Sequence, residues 1–283
     1  MLMNPFFHQW ITEMISSRKI SNLEYARVGD KSLLLDLDFP ENGTNPMPVV
    51  VWIHGGGWHM GSKDEWQSPR VVVEALLERG YAIASINYRF SNEAIFPAQL
   101  EDCKAAVRWL RARAGEHGFD ADHIGVWGYS AGAHLAALLG TTGDHAEFDV
   151  GDNLDCSSRV QAVAAFATPT DFATMGGYHD APDSPESRLI GAPVLENPAL
   201  VARVSPLTYV SDTSAPFFLF HGDQDTVVIP SQSEKLVDAL TNAGIEVTLY
   251  VIPGGDHGMS IVSRAESDRI VAKACAFFDQ HLR

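Results

Sequence analysis

The chain has 283 residues, of which 46% are hydrophobic and 20% are charged. This composition is ordinary for a globular protein, and it excludes a mainly disordered, collagen-like or coiled-coil chain. The 36 acidic residues outnumber the 20 basic ones, so the formal net charge is −16. Because a chain this acidic repels phosphate backbones, we expect no nucleic-acid partner.

Signals for membranes, secretion and disulfide bonds are weak. No run of 18 apolar residues occurs, so we expect no membrane span. The first basic residue is Arg18, which argues against a secretory signal and favours a cytoplasmic location. A secreted protein whose signal has already been removed is the alternative. Apolar residues at helical spacing predict a short amphipathic helix over residues 5–17, within an N-terminal helical segment of residues 1–20. The three cysteines are too few and too scattered for a disulfide framework or a CxxC metal site.

Short apolar runs alternate with helical patterns, which is typical of an α/β fold with a mostly parallel central sheet and helices on both faces. The predicted strands cover residues 31–38, 48–53, 81–87, 123–127, 160–166, 216–221 and 246–252. The predicted helices cover about 68–79, 97–114, 131–139, 231–243 and 262–281. Residues 170–206 break this rhythm, since they are rich in Gly, Pro, Asp and Ser. We therefore predict one domain over residues 1–283 with a small lid-like insertion at 170–206.

The strongest chemical signal is the sequence Gly128-Tyr129-Ser130-Ala131-Gly132, a G-x-S-x-G motif. It lies between an apolar strand and an Ala/Leu-rich helix, which is the context in which this motif presents a nucleophile. The two glycines keep Cβ atoms from colliding across a sharp strand-to-helix turn with the serine at its apex. Ser130 is therefore the predicted nucleophile, and a tight turn without chemistry is the alternative.

A second signal is the segment HGGGW at residues 54–58, directly after a predicted strand. Successive glycines expose backbone N–H groups to a ligand, and acyl transfer needs such donors for the oxyanion of its intermediate. The predicted oxyanion hole consists of the N–H groups of Gly56, Gly57 and Ala131. A flexible turn or a phosphate loop is the alternative, but no Gly-Lys-Ser/Thr follows. His54 is predicted to orient this loop.

A serine nucleophile needs a base and an acid that orients the base. His257 lies in a loop after the last predicted strand, from which it can reach a nucleophile on a central strand. The acid is expected after the strand of residues 216–221, where Asp223 and Asp225 compete. We favour Asp225 because Asp223 beside a glycine is typical of a turn, while Asp225 lies further along the loop.

The other histidines are predicted to have structural roles. His134 is predicted to pack in the core, and His221 is predicted to form a structural hydrogen bond at a strand end. Surface positions or helix caps are predicted for His8, His117, His145, His179 and His281.

These motifs together resemble those of α/β-hydrolases of the esterase and lipase group. The motifs HGGGW, GYSAG, HGDQD and GGDHG are most similar to those of small feruloyl-esterase-like and acetyl-xylan-esterase-like carboxylesterases, and less so to hormone-sensitive-lipase-like enzymes. The similarity covers roughly residues 30–281, and the order serine, aspartate, histidine is that of the α/β-hydrolases. The resemblance implies structural roles for Tyr88, Arg89 and Asp102. The short N-terminus lacks the helical cap of the hormone-sensitive-lipase-like enzymes, which argues against large lipid substrates.

The predicted activity is therefore serine carboxylic ester hydrolysis through an acyl-enzyme at Ser130, without a metal or an organic cofactor. The resemblance implies short-chain acyl esters as substrates, with acetyl or feruloyl esters of plant carbohydrate as candidates. An arylformamidase-like amidase and a non-catalytic binding protein on a hydrolase fold are the alternatives. Residues beside the motifs, or at the carboxyl end of a strand, are candidates to line the substrate pocket or to pack at its rim: Trp58, His59, Tyr129, Asp171, Phe172 and Met259. The sequence does not predict an oligomeric state.

Overall fold

The computed structural model describes residues 18–64, 70–259 and 262–283. The helix predicted over residues 5–17 lies outside the described residues. The described strands form one sheet in the order β1-β2-β4-β3-β5-β6-β7-β8. The strands are β1 (Lys19–Val28), β2 (Lys31–Asp38), β3 (Met47–Ile53), β4 (Ala82–Ile86), β5 (Phe119–Tyr129), β6 (Ala162–Phe166), β7 (Phe217–Gly222) and β8 (Val247–Ile252).

The α-helices lie between and after these strands, close to the predicted positions. They are α1 (Arg70–Glu78), α2 (Ala98–Ala112), α3 (Ala114–His117), α4 (Ala131–Thr141), α5 (Pro185–Ile190), α6 (Pro198–Val204), α7 (Ser231–Asn242) and α8 (Arg264–Leu282). Strands β3 to β8 run parallel to one another, whereas β2 pairs antiparallel with both β1 and β4. This mostly parallel sheet confirms the predicted fold class.

Strand β1 was not predicted, and it corrects the proposed helical segment of residues 1–20. Lys19 and Ile20 begin β1 and pair with Asp38 and Leu37 of β2. The strand has two register shifts, and Tyr25 is its only buried residue. An edge strand with one buried side chain lacks the alternation that would have indicated it.

The sheet is covered on both faces, which explains the uniformly apolar central strands. One core contains buried side chains of α2, α4 and α7, and the other contains side chains of α1 and α8. Helix α4 is buried along its whole length. Because β3, β5, β7 and β8 are parallel, the loops at their carboxyl ends meet at one edge of the sheet.

Residues 170–206, which we call the inserted segment, contain only short helices, as predicted. Besides α5 and α6, three 3₁₀ turns occur in it. Leu189, Val194 and Val201 are buried and belong to the main hydrophobic core. The inserted segment is therefore packed against the body of the sheet domain.

Among the helices of residues 18–64, 70–259 and 262–283, none has the length and apolar character needed to cross a bilayer. The expected cytoplasmic location stays a prediction.

Candidate active site

Ser130 occupies the sharp turn between β5 and α4. Its φ of 53° and ψ of −119° are a strained combination for a residue with a side chain. The turn is tight because a Cβ on Gly128 would lie 2.2 Å from the carbonyl oxygen of Gly132. A Cβ on Gly132 would in turn lie 2.1 Å from the carbonyl oxygen of Ile53 in β3. The two glycines therefore allow the close backbone contacts that the sequence predicted for this motif.

The glycine loop, residues 54–61 after β3, packs against this turn. A Cβ on Gly55 would lie 3.4 Å from the Cβ of Ser130, so the two segments are in direct contact. Gly56 and Gly57 have φ values of +108° and +56°, which favour glycine. Within the described ranges, the N–H groups of Gly56, Gly57 and Ala131 donate to no protein acceptor. They are therefore available to a ligand.

The side chain of His54 stabilises the glycine loop. Its ring is buried and stacks on the ring of Tyr88, with 4.5 Å between the centroids. Burial lowers the pKa of His54 to about 4, so the ring is neutral near pH 7. The nitrogen Nδ1 lies 2.7 Å from the carbonyl oxygen of Gly55, and it must donate because a carbonyl only accepts. This geometry agrees with the predicted orienting role.

Ser130, His257 and Asp225 form a continuous hydrogen-bonded chain. The Oγ of Ser130 lies 3.0 Å from Nε2 of His257. On the other side of the ring, Nδ1 of His257 lies 2.7 Å from Oδ2 of Asp225. Since an ionised carboxylate only accepts, Nδ1 carries the proton and Nε2 is free to accept the serine proton. The ring is thus held in the tautomer that a general base requires.

Asp225 is held as a carboxylate. Burial opposes its ionisation, but His221, whose Nε2 lies 3.5 Å from Oδ2, and the hydrogen bond from His257 outweigh that effect and hold the pKa of Asp225 well below its usual range. Its second oxygen, Oδ1, accepts the backbone N–H groups of Val227 and Val228, each at 2.9 Å. Asp225 is therefore negatively charged whenever the protein is folded near neutral pH.

The competing aspartate, Asp223, bonds to the backbone of the loop that carries His257. Its Oδ1 accepts the backbone N–H of Gly254 at 2.7 Å, which ties two loops together. The structure therefore places Asp225, and not Asp223, beside the histidine.

His221 and His134 are buried and have structural partners, as predicted. His221 bonds to the hydroxyl of Ser233 and to the carbonyl oxygen of Val228, both at 2.7 Å. His134 accepts from the indole N–H of Trp58 and lies 2.8 Å from the carbonyl oxygen of Val204.

The prediction of a surface or capping position was wrong for His179. Only 5% of this residue is exposed, and it bonds to Glu186 and to the carbonyl oxygen of Val227. These partners come from separate segments, so no local sequence pattern indicated them. His117 and His281 are partly buried against aromatic rings, and His8 lies outside the described residues.

The structure contradicts the proposed pocket positions of Trp58 and Phe172. They are 2% and 0% exposed, and their rings pack against each other and against His134. Large aromatic rings fill core space efficiently, and here they fill it beneath the glycine loop. Neither residue presents a surface to a ligand in this structure.

The other four pocket candidates have identifiable contacts. The Tyr129 hydroxyl donates to the carbonyl oxygen of His257 at 2.6 Å, so this residue positions the histidine loop. His59 bonds to the carbonyl oxygen of Gly57 at 2.8 Å. Asp171 pairs with Lys235 of α7 at 2.7 Å. Met259 lines a small apolar cavity together with Tyr129.

Three exposed apolar side chains next to this site were not predicted. Tyr178 and Met60 are each 55% exposed, and Val227 is 38% exposed. Met60 lies in the glycine loop, and its carbonyl oxygen would clash with a Cβ on Gly56. Val227 is bonded to Asp225, and the ring of Tyr178 lies 3.9 Å from that of His179. Their exposure is the one signal that indicates them, and it is available only from the structure.

The sheet topology, the strained serine and the position of His257 define an α/β-hydrolase. The family model described as BD-FAE matches residues 35–240. The chain therefore belongs to this family. The match includes Ser130 and Asp225 and ends before His257.

Several known proteins with similar chains or folds are described as esterases. Esterase LipQ of Mycobacterium tuberculosis is 31% identical over 233 residues, which cover 82% of this chain and 54% of LipQ. A solved structure described as a truncated form of carbohydrate esterase from gut microbiota is 31% identical, with a TM-score of 0.82 and coverage of 93% of this chain and 96% of that one. A Thermogutta terrifontis esterase with bound propionate is 24% identical with a TM-score of 0.76, covering 92% and 93%, and supports the fold alone. The chain spans just over half the length of the curated relatives LipQ and LipM.

Proposed function

We propose that this protein is a serine carboxylic ester hydrolase. One observation carries the proposal: His257 bridges Ser130 at 3.0 Å and Asp225 at 2.7 Å. Asp225 is buried, and a buried carboxylate is costly to maintain unless partners satisfy it. The family and the esterase relatives support the same class of reaction.

In this proposal, His257 removes the hydroxyl proton of Ser130 as the oxygen attacks the ester carbonyl. The negative charge that develops on the carbonyl oxygen is stabilised by the N–H groups of Gly56, Gly57 and Ala131, which donate to no acceptor among the described residues. His257 then donates its proton to the leaving alcohol. A water molecule, activated by the same ring, releases the acid from the serine. Asp225 stabilises the imidazolium ion at each step.

We propose short acyl esters as the substrates, with acetyl or feruloyl esters of plant carbohydrate as the candidates. Two observations support this choice. The exposed apolar side chains of Met60, Tyr178 and Val227 lie beside the site, where they can contact an ester. The structural relative with a TM-score of 0.82 is described as a carbohydrate esterase.

The proposal is tested by measuring hydrolysis of p-nitrophenyl acetate, longer p-nitrophenyl esters, methyl ferulate and acetylated xylan. The control is Ser130→Ala, which removes only the hydroxyl oxygen. We expect turnover that is fastest for short or aromatic acyl groups and that is lost in the variant. Fastest turnover of long-chain esters would contradict the substrate class, and turnover that persists in Ser130→Ala would contradict the mechanism.

A further inference from the structure

The inserted segment is bonded to the loop that carries the acid, through a buried histidine. We call residues 223–230, between β7 and α7, the acid loop. His179 lies in the inserted segment, and its Nε2 lies 2.7 Å from the carbonyl oxygen of Val227 in the acid loop. Its Nδ1 lies 2.8 Å from Oε1 of Glu186, the second residue of α5. Both partners are acceptors, so both ring nitrogens donate.

The peptide group that His179 reaches is one of the two that hold Asp225. The N–H groups of Val227 and Val228 donate to Oδ1 of Asp225, and the carbonyl groups of the same two residues accept from His179 and His221. His221 extends from β7, next to the acid loop. His179 comes from a segment 48 residues earlier in the chain. His179 therefore fixes the peptide group between Val227 and Val228, whose N–H donates to the carboxylate, and His221 fixes the next peptide group along the chain.

The other end of this link touches the glycine loop. Pro185 precedes Glu186 at the start of α5, and its Cβ lies 3.4 Å from the position that a Cβ on Gly57 would occupy. Ser184 caps this helix by accepting the N–H of Ser187. The pair of His179 and Glu186 thus connects the oxyanion side of the site to the acid side.

The charges around His179 favour its doubly protonated ring. Burial lowers the pKa of His179, but the hydrogen bond and the charge of Glu186 outweigh it, and Asp180 adds to the increase, so the pKa is raised. The ring of Tyr178 packs against it. Oε2 of Glu186 has no hydrogen-bond partner among the described residues, so His179 is the main group that stabilises the buried charge of Glu186.

We propose that His179 is a positioning residue for Asp225, and that its Nε2–H bond to the carbonyl group of Val227 is the contact that matters. This inference rests on the proposed function, because it assigns a role relative to the proposed acid. Glu186 fixes the orientation of the ring. Small displacements of a catalytic group lower turnover about 100-fold, so loss of this bond should lower kcat by about 10- to 100-fold.

Two substitutions of the same residue separate this contact from simple packing. In His179→Gln the amide nitrogen lies near the position of Nε2 and can still donate to Val227. In His179→Asn the amide nitrogen lies near Nδ1 and can reach only Glu186. We expect His179→Gln to keep kcat within about threefold and His179→Asn to lose about 10- to 100-fold, with KM changed less than about twofold. The acid limb of the pH–rate profile should move to lower pH in His179→Asn alone, because Asp225 then stabilises the charged His257 less.

Glu186→Gln is the matched test of the contact between His179 and Glu186. An amide in place of the carboxylate can donate to Nδ1, so His179 keeps its proton on Nε2 and its bond to Val227. We expect kcat within about threefold of the wild-type value. Both substitutions of His179 are repeated in the Glu186→Gln background. No buried carboxylate loses its partner there, so the comparison does not depend on a variant that fails to fold. Lys104→Gln, at a buried lysine bonded to Asp149 in another part of the chain, is the control for a general loss of stability.

Equal kcat values for the Asn and Gln variants, in either background, would overturn the inference. The inference would also be overturned by a second result, in which the pH–rate profile of His179→Asn is unchanged and Lys104→Gln, at equal thermal stability, loses as much kcat. Failure of the proposed function would give a different experimental result. In that case the wild-type protein does not hydrolyse esters, or Ser130→Ala still does.

Discussion

Nδ1 of His257 and Oδ2 of Asp225 lie 2.7 Å apart, although the two residues are separated by 32 positions in the sequence. Two loops at the ends of β7 and β8 bring them together. A buried carboxylate accepting this proton fixes the ring so that its other nitrogen faces Ser130. The arrangement leads to predictions about each residue and about the backbone around them.

Asp225 and Asp223 form a matched pair of substitutions. In Asp225→Asn the remaining oxygen can accept the N–H groups of Val227 and Val228, but the new NH2 group donates to Nδ1 of His257 where the carboxylate accepted from it. His257 then takes the wrong tautomer, and we expect kcat to fall by about 10⁴-fold. In Asp223→Asn the remaining oxygen can still accept the N–H of Gly254, and we expect a change of less than about threefold. Steady-state kinetics on p-nitrophenyl acetate measure both values. A larger loss in Asp223→Asn than in Asp225→Asn would refute the assignment.

The pH dependence of the reaction should show one ionisation on its acid limb. The low pKa of Asp225 keeps that residue charged, so the group that gains a proton is His257. A protonated Nε2 cannot accept the proton of Ser130, and kcat/KM should therefore fall as the pH decreases. A pH–rate profile that stays flat down to pH 4 would rule out this base.

Gly132 should tolerate no side chain. A Cβ there would lie 2.1 Å from a backbone oxygen of β3, which cannot move without displacing the sheet. We expect Gly132→Ala to lower the free energy of unfolding by about 1–3 kcal/mol and to lower activity further by shifting Ser130. A Cβ on Gly115 in α3 would meet no atom of the described residues within 4 Å, so Gly115→Ala should leave stability equal or slightly higher. Chemical denaturation of both variants tests the difference, and similar losses in the two would contradict it.

The stability of the protein should decrease with acid through His134. Burial lowers the pKa of His134 to about 4 from 6.5, so the unfolded chain binds a proton that the folded chain does not between these values. Stability is therefore fully present above about pH 6.5 and decreases as the pH falls towards 4, by up to about 3 kcal/mol for this one group. His134→Gln keeps a donor for Val204 and an acceptor for Trp58 but does not titrate. Denaturation curves from pH 7 to 4 should show a smaller loss for the variant, and an equal loss would contradict the prediction.

The sequence predicted the parallel sheet and the three residues of the candidate triad because these follow from local patterns. Apolar runs identify buried strands, and Ser130 and His257 lie in glycine-rich loops directly after such strands. The choice between Asp225 and Asp223 depended on the direction of a loop, which local patterns describe only weakly. The structure places Asp225 next to the histidine.

The features that were missed depend on contacts between distant segments. Strand β1 has one buried residue, Tyr25, and its pairing with β2 is irregular, so its pattern resembles that of a loop. Trp58 and Phe172 follow strands in the way that pocket residues do, but their rings fill space around His134. His179 has partners that lie 7 and 48 residues away, and only the folded chain shows that they meet.

Covalent labelling tests directly whether Ser130 is the nucleophile. A p-nitrophenyl phosphonate reacts with an activated serine and releases p-nitrophenol, leaving a phosphonyl group on the oxygen. We predict one adduct per chain, located at Ser130 by peptide mass spectrometry, with activity lost in the same proportion and no adduct in Ser130→Ala. Hydrolysis of esters by a protein that is labelled at another residue, or that remains unlabelled, would contradict the assignment of Ser130 as the nucleophile.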